Sequence, residues 1–226
     1  MFEKVHGMKI IIINGSPRKK GATATILNEI CLNLVKYPNV EVETINLADI
    51  EMNFCVGCCS CYKTGKCIFN DGLEKLARRI KNADGLILGS PTYASNVSAQ
   101  MKLFIDRGHF VMEQLLHKKY AISVVTYENY GGRNTGKIIN NLLLFSGAQI
   151  SGEIVVKSPF NANPLESHVL RKRIEKKAER LYNNIRSQHN YHMQKIIHAV
   201  IFNLGIKPFV LKKGIMYSGV VNWWKH

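Results

Sequence analysis

The sequence predicts an α/β fold built on one open sheet of five parallel strands, with helices on both faces. Four consecutive isoleucines at residues 10–13 form a β-branched run, the pattern of a strand that is covered on both faces. A second apolar run, GLILGS at residues 85–90, has the same character. The segments around these two runs have the apolar spacing of helices or of further strands. Strands therefore alternate with helices along the chain, and this order is typical of a parallel sheet.

The remaining elements follow in order from their apolar periodicity. Besides these two strands we expect strands at residues 40–47, 120–126 and 149–156, and helices at residues 23–35, 73–81, 98–116 (broken near Gly108), 135–146 and 164–186. Right-handed crossovers favour the strand order 2-1-3-4-5, the flavodoxin-like arrangement. In such a sheet a ligand lies beyond the carboxyl ends of strands 1 and 3, where the strand order reverses.

The segment between the first strand and the first helix has the composition of a phosphate-binding loop. Gly15 and Gly21 give it conformational freedom, and Thr23 is expected to cap the helix that follows. The segment also offers free N–H groups, hydroxyls and cations at a helix N-terminus, which together favour a phosphate. Its spacing fits neither a P-loop nor a G-x-G-x-x-G dinucleotide loop, because five residues separate the two glycines and Ala22 follows the second.

Two further polar loops follow strands 3 and 4, at residues 91–96 and 127–133. Both should meet the first loop at the same edge of the sheet. The GSPR…GxT pattern of the first loop and the P-x-Y…K…DR block that begins at Pro91 resemble the flavodoxin-like NAD(P)H-dependent FMN reductases, over roughly residues 8–157. Asp106 and Arg107 of that block are expected to make a structural or subunit contact.

The resemblance implies that FMN binds at these three loops. The implied FMN-binding residues are Ser16, Arg18, Lys20, Ala22, Thr23, Ala24, Pro91, Thr92, Tyr93, Asn96, Tyr127, Gly131, Gly132 and Arg133. Ala22 departs from the family pattern, which often has a polar residue at this position. Backbone N–H groups and neighbouring side chains would then hold the phosphate.

Five of the six cysteines lie in one stretch at residues 54–72. Cys55, Cys58, Cys61 and Cys67 follow the spacing C-x2-C-x2-C-x5-C, in which a tight loop and a more distant fourth thiolate can wrap a cubane cluster. The spacing looks like the cysteine motif of the iron–sulfur flavoproteins, which implies a 4Fe–4S cluster on these four residues. Cys59 is the expected non-ligand.

Other interpretations of the cysteine stretch stay open. A structural disulfide framework does not suit a cytosolic chain. Zinc more usually takes two well-separated C-x2-C knuckles. Related flavodoxin-like reductases resemble this stretch without being clear cluster proteins, so the cysteines could also pack or serve as redox thiols. The sixth cysteine, Cys31, is expected in the core.

The chain has a formal net charge of +15, and the excess lies mainly in its last third. Residues 157–226 carry 13 Lys and Arg against 3 Asp and Glu. This charge could attract NADPH, an acidic electron-transfer partner, nucleic acid or anionic lipid, or it could be a solvated basic surface. No apolar run is long enough to span a bilayer and no secretory signal is present, so the expected location is the cytoplasm.

The expected domain organisation is a flavodoxin-like FMN-binding unit at residues 1–186, with the cysteine-rich loop at 54–72, and a C-terminal extension at 187–226. A helix is expected at residues 191–204, ended by Gly205 with Pro208 after it. The aromatic, lysine-containing tail beyond it is expected to pack on the domain or on a second subunit. Contact with a membrane surface is the less favoured alternative.

The resemblance implies an oxidoreductase in which NAD(P)H gives hydride to flavin N5 and the flavin passes electrons to a ferredoxin-type, quinone or other small acceptor. No catalytic side chain is assigned, because the flavin performs the chemistry. The alternatives are a cluster-free quinone or azo-compound reductase and a non-enzymatic flavin electron-transfer module. We expect a homodimer or higher homo-oligomer, and no specific nucleic-acid partner.

Overall fold

The computed structural model describes residues 7–225 and contains the predicted five-stranded parallel sheet in the order β2-β1-β3-β4-β5. This confirms the flavodoxin-like fold class. The strands are β1 Met8–Asn14, β2 Val40–Asn46, β3 Gly85–Pro91, β4 Tyr120–Tyr127 and β5 Gln149–Lys157. Residues 1–6 and 226, which belong to the two predicted domain ends, lie outside the described part of the chain.

The centre of the sheet is the pair β1 and β3, as the two apolar runs indicate. Ile10 pairs with Gly85 and Asn14 with Gly89, so the two strands run side by side and β3 continues for two residues beyond the end of β1. Every residue of β3 is buried, because helices cover both faces of the sheet. The polar residues that follow β1 and β3 are therefore brought together at one edge.

Two helical layers cover the sheet, and each has its own core. The helices of the domain are α1 Ala22–Leu34, α2 Ser60–Thr64, α3 Gly72–Lys81, α4 Ala99–Arg107, α5 Gly132–Phe145 and α6 His168–Ser187. Side chains of α3, α4 and α5 form the core on one face. Side chains of α1 and α6 form the core on the other, with Cys31 packed partly buried beside it.

The helix expected at residues 98–116 is wrong in its second half. Helix α4 begins after Ser98, whose Oγ accepts the Met101 N–H at 3.1 Å, and it ends at Arg107. A Cβ on Gly108 would lie 1.9 Å from the Phe110 ring, and His109 has φ +53. The chain therefore leaves the helix at Gly108 and continues in turns. Residues 164–186 likewise divide into a 3₁₀ turn, Pro164–Glu166, and α6, which Ser167 caps.

The C-terminal extension is almost continuously helical. It comprises α7 His192–Val200, a π-helical turn Ile201–Ile206, α8 Lys207–Lys212, a 3₁₀ turn Gly214–Tyr217 and α9 Ser218–Trp223. The predicted end at Gly205 is wrong, because Gly205 lies inside the π turn and Pro208 sits in the first turn of α8. Proline is tolerated there, since the first N–H groups of a helix need no intrahelical partner. Within residues 7–225 no helix has the length and apolar character of a membrane span.

Candidate functional site

A cavity of about 840 Å³ opens at the carboxyl edge of the sheet. It lies where the loops after β1, β3, β4 and β5 meet, as expected for an open α/β sheet. Its lining residues are Arg18, Lys20, Gly21, Ala22, Thr25, Pro91, Thr92, Tyr93, Ala94, Ser95, Thr126, Tyr127, Glu128, Asn129, Tyr130 and residues 158–163.

The loop after β1 is closed by its own hydrogen bonds. Ser16 N–H donates to Asn14 Oδ1 at 3.0 Å, and Ser16 Oγ both donates to Arg18 O and accepts from Arg18 N–H, each at 3.1 Å. Ser98 Oγ donates to Gly15 O at 2.5 Å and fixes the loop against the start of α4. Ser16 is buried and shapes the loop, while Arg18 and Lys20 lie on the cavity.

The N-terminus of α1 faces the cavity without a side-chain cap. Its N-cap residue is Gly21, and no acidic residue lies in its first turn. The expectation that Thr23 caps this helix is wrong, because buried Thr23 Oγ1 lies 2.7 Å from Thr126 Oγ1 of β4 and bonds there. The uncapped N–H groups and the partial positive charge of the helix end therefore stay available for an anion.

The loop after β3 is a tight turn closed by two backbone hydrogen bonds between Tyr93 and Asn96, both 2.9 Å. Ala94 and Ser95 between them have φ +49 and +60. Asn96 therefore closes the turn, and Pro91, Thr92 and Tyr93 face the cavity. Thr92 Oγ1 is buried with no hydrogen-bond partner in the structure, a position that calls for a ligand atom.

Two glycines bring the loop after β4 close to its neighbours. Gly131 has φ +83, and a Cβ there would lie 2.7 Å from Ser95 Cα of the β3 loop. A Cβ on Gly132 would lie 2.3 Å from the Tyr127 ring. Both glycines thus allow close packing behind the cavity wall, and the Tyr127 ring stays on the cavity side.

The structure brings half of the sequence-predicted FMN residues onto the cavity. These are Arg18, Lys20, Ala22, Pro91, Thr92, Tyr93 and Tyr127. The others, Ser16, Thr23, Ala24, Asn96, Gly131, Gly132 and Arg133, belong to the same loops and helix starts but are not among its lining residues.

Sequence reasoning missed the loop after β5, residues 158–163, which forms one wall of the cavity. Glu128 Oε1 accepts the Phe160 N–H at 3.1 Å, so this loop is tied to the loop after β4. The Arg18 guanidinium lies 4.3 Å from the centre of the Phe160 ring. The rule that ligands lie beyond strand ends would have found this loop, had it been applied to strand 5 as well.

The cavity fits FMN in its chemistry. One end offers an uncapped helix N-terminus and two cations, which suit a phosphate monoester. The lining also carries the exposed aromatic rings of Tyr93, Tyr130 and Phe160, which suit a flat ring system. Thr92, whose hydroxyl is buried without a partner, also lines the cavity.

A second cavity, of about 270 Å³, lies beside the cysteine-rich stretch. Cys55, Cys58, Cys59, Cys61 and Cys67 all line it. No three His, Cys, Asp or Glu side chains of residues 7–225 are placed to hold a single metal ion. The donor set nevertheless suits a cluster, because all four cysteines of the predicted motif line one cavity.

Two positively charged groups lie beside cysteine sulfurs of this cavity. Arg107 Nη2 donates to Cys67 Sγ at 3.1 Å, and its Nη1 forms an ion pair with Asp71. Burial opposes the charged form of His109, but hydrogen bonds to Cys61 and Glu113 outweigh it and raise the pKa of His109 to about 10. Positive charge at these two positions would offset the negative charge of metal-bound thiolates.

Fold and site together define a flavodoxin-like protein whose cavity suits a phosphorylated ring compound. Residues 8–162 match the NADPH-dependent FMN reductase family, so the chain belongs to that family and is an NAD(P)H-dependent flavin oxidoreductase.

One relative extends the likeness over nearly the whole chain. An iron-sulfur flavoprotein of Clostridioides difficile is 36% identical over 221 residues, which cover 96% of this chain and 98% of that protein. An iron-sulfur flavoprotein of Methanocaldococcus jannaschii is 39% identical over 149 residues, 65% of this chain and 77% of the relative. A solved flavodoxin from the domain Archaea shares the fold with a TM-score of 0.54 and 14% identity, over 79% of this chain and 99% of that one.

Proposed function

We propose that this oxidoreductase binds FMN in the cavity at the sheet edge and a 4Fe–4S cluster in the cysteine cavity, and that it passes electrons from NAD(P)H to a ferredoxin-type or quinone acceptor. The observation that carries the proposal is the grouping of five cysteines around one cavity of a chain that also holds an anion-suited ring cavity. The two relatives described above bear the name iron-sulfur flavoprotein.

Different residues of the first cavity would bind different parts of FMN. The α1 N-terminus, Arg18 and Lys20 would hold the phosphate. Thr92 Oγ1 would donate to a polar atom of the ring system, and Tyr93 would lie against the ring. When bound, FMN accepts hydride and releases electrons singly or in pairs. The protein's part is to orient the ring and exclude water from one side of it.

Cys55, Cys58, Cys61 and Cys67 would ligate the cluster, whose chemistry is the transfer of single electrons. Cys59 is the N-cap residue of helix α2 and has φ +57, and its Sγ lies 3.5 Å from Gly57 O. We therefore keep Cys59 as the non-ligand. Arg107 and His109 would offset the negative charge of the sulfurs.

The second candidate function is a cluster-free NAD(P)H-dependent quinone or azo-compound reductase. Cys55, Cys58 and Cys59 are exposed, as free thiols of such an enzyme could be. A homodimer or higher oligomer, a cytoplasmic location and the division of the chain after residue 186 stay predictions. The exposed apolar side chains of the extension support self-association.

The test uses protein prepared without oxygen, in wild-type form and with Cys61→Ser or Cys31→Ser. We expect four irons and four sulfides per FMN in the wild type and in Cys31→Ser, because Cys31 packs against the α1 and α6 core far from the cysteine cavity. Cys61→Ser should lose the cluster absorption and keep the flavin bands.

Flavin bands without iron in the wild type would support the cluster-free reductase. NADH or NADPH should bleach the flavin in all three proteins, since none of the changes touches the FMN cavity. A flavin that neither nucleotide bleaches would contradict the proposed electron donor.

A further inference from the structure

The end of the chain lies against the short cysteine-bearing helix α2. Ser218 Oγ donates to Lys63 O at 2.9 Å, and Trp223 Nε1 donates to Gly65 O at 3.2 Å. The Tyr217 ring stacks on the Tyr62 ring with centroids 4.7 Å apart. Side chains of the last turns thus bond to backbone carbonyls at the C-terminal end of α2.

Two glycines permit this close approach. A Cβ on Gly219 would lie 2.1 Å from Gly65 N and 2.7 Å from Thr64 C, distances that real Cβ atoms do not show. Gly65 has φ +76, and a Cβ there would lie 3.1 Å from Trp223 Nε1. Backbone therefore meets backbone where α9 crosses the end of α2, and a larger residue at position 219 would separate them.

Helix α2 depends on such outside support. It has five residues, none of them buried, and left-handed residues stand at both of its ends. A helix of this length is not stable by itself in water. Its Tyr62 packs against a small separate core formed by Ile206, Val210 and Val220 of the extension. The extension thus supplies apolar surface that the sheet does not offer to α2.

We propose that residues 214–224, the C-terminal clamp, fix α2 and thereby hold Cys61 and Cys67 at the cysteine cavity. Gly219 and Trp223 are its positioning residues. Cys61 lies within α2 and Cys67 two residues beyond Gly65, so motion of α2 would move both sulfurs. Trp223 also places its ring 4.5 Å from the Lys81 ammonium of α3, which joins the clamp to the domain. That the ordered cysteines carry a cluster rests on the proposed function.

The experiment compares Gly219→Ala with Gly205→Ala in the full chain with FMN bound. Gly205 is a matched control, because it lies in the same extension and its added Cβ would meet nothing within 4 Å. In Gly219→Ala we expect amide exchange of residues 60–65 to rise about tenfold, by local opening. Alkylation of Cys61 and Cys67 should accelerate in the iron-free protein, and the cluster absorption per flavin should fall. Gly205→Ala should match the wild type in all three measurements.

A second variant guards against general unfolding. Trp223→Phe keeps an aromatic ring near Lys81 but removes the N–H that donates to Gly65 O, so exchange in residues 60–65 should rise by a smaller factor. Exchange of β1 and β3 is the internal reference. If Gly219→Ala also raises amide exchange in β1 and β3, the clamp is tested with Trp223→Phe alone.

Wild-type exchange and alkylation rates in Gly219→Ala, with the sheet intact, would overturn the clamp. If Gly219→Ala loosens the sheet as well, wild-type exchange and alkylation rates in Trp223→Phe would overturn the clamp. A wild type that never carries iron would overturn the cluster instead, and the exchange rates would still decide the clamp.

Discussion

Asp71 and Arg107 form a buried ion pair that ties three segments together. Their side chains are 7% and 2% exposed, and Asp71 also accepts the Asn53 and Leu73 N–H groups. Arg107 in turn donates to Asn53 O and Cys67 Sγ. The expectation of a structural role for Arg107 therefore fits its contacts, and its link to a cysteine was not foreseen from the sequence.

Asp71→Asn should lower the free energy of unfolding by about 3–5 kcal/mol, since it leaves the Arg107 charge buried without a counter-ion. Asp106→Asn is the matched control, because the Asp106–Lys102 pair is an exposed contact within one helix and should contribute about 0.5 kcal/mol or less. Denaturant unfolding of both variants measures the difference. Equal losses in the two would contradict the structural role of the buried pair.

The Asp71–Arg107 ion pair should also make the stability of the fold depend on pH. Burial alone would raise the pKa of Asp71, but hydrogen bonds from Arg107 and Asn53 outweigh it and lower this pKa below its ordinary value. A carboxyl with a depressed folded-state pKa stabilises the fold above its unfolded-state pKa, and this contribution is lost as the pH falls through the folded value. Below about pH 4 the wild type should therefore lose part of its advantage over Asp71→Asn.

At the scale of elements, helix α1 shows how stability and binding oppose one another. An acidic residue in the first turn of a helix ordinarily stabilises it by about 0.3–1 kcal/mol. Ala22→Asp should therefore stabilise the flavin-free protein slightly. It should also weaken FMN binding by at least about tenfold, because Ala22 lines the cavity and the carboxylate would repel a phosphate at the same N–H groups.

Ala22→Asn separates charge from size in this test. The Asn side chain has nearly the same shape as the Asp side chain but carries no charge. The FMN affinity of Ala22→Asn should therefore stay closer to that of the wild type. Thermal unfolding without flavin and fluorescence titration with FMN give the two quantities. Equal affinity of the Asp and Asn variants would show that the phosphate does not lie at the N-terminus of α1.

The sequence predicts best the elements whose pattern of apolar residues depends directly on their burial. The isoleucines at residues 10–13 and the run at residues 85–90 could be assigned because strands covered on both faces are continuously apolar. The residue type of Thr23 predicts a helix cap, yet Thr126 of β4 provides a partner that is distant in sequence. Gly205 and Pro208 failed as stop signals because the π turn accommodates Gly205 and the first turn of α8 accommodates Pro208.

At the scale of the whole molecule, the sequence predicts the edge of the sheet where the cavity lies, but it does not predict where the C-terminal extension packs. The position of a cavity at the strand ends follows from topology, which the order of strands and helices determines. The contact of Gly219 with Gly65 depends on tertiary packing between segments that no local pattern relates. The tail was expected to pack on the domain or a second subunit, and the structure places it against the cysteine-rich segment.

Part of the basic excess, five of the 13 Lys and Arg side chains of residues 157–226, belongs to the extension. The extension carries exposed lysines, among them Lys212 and Lys213, and it adjoins the cysteine segment with its exposed Lys66. An acidic electron acceptor would therefore be drawn toward the cysteine cavity, where the proposed cluster lies. Electrostatic attraction of this kind acts mainly on the rate of association and weakens with salt.

We expect the second-order rate of electron transfer to an acidic ferredoxin to fall by about tenfold between roughly 0.02 and 0.2 M salt, and the rate to a neutral quinone to stay nearly constant. Lys66→Glu should slow the ferredoxin reaction more than Lys172→Glu, although both change the net charge equally. Lys172 is exposed on α6, which packs on the opposite face of the sheet from α3 and α4. Stopped-flow mixing of the reduced protein with each acceptor measures these rates, with flavin and iron content checked in every variant. Equal slowing by the two substitutions would mean that total charge, rather than a docking surface beside the cysteines, governs the encounter.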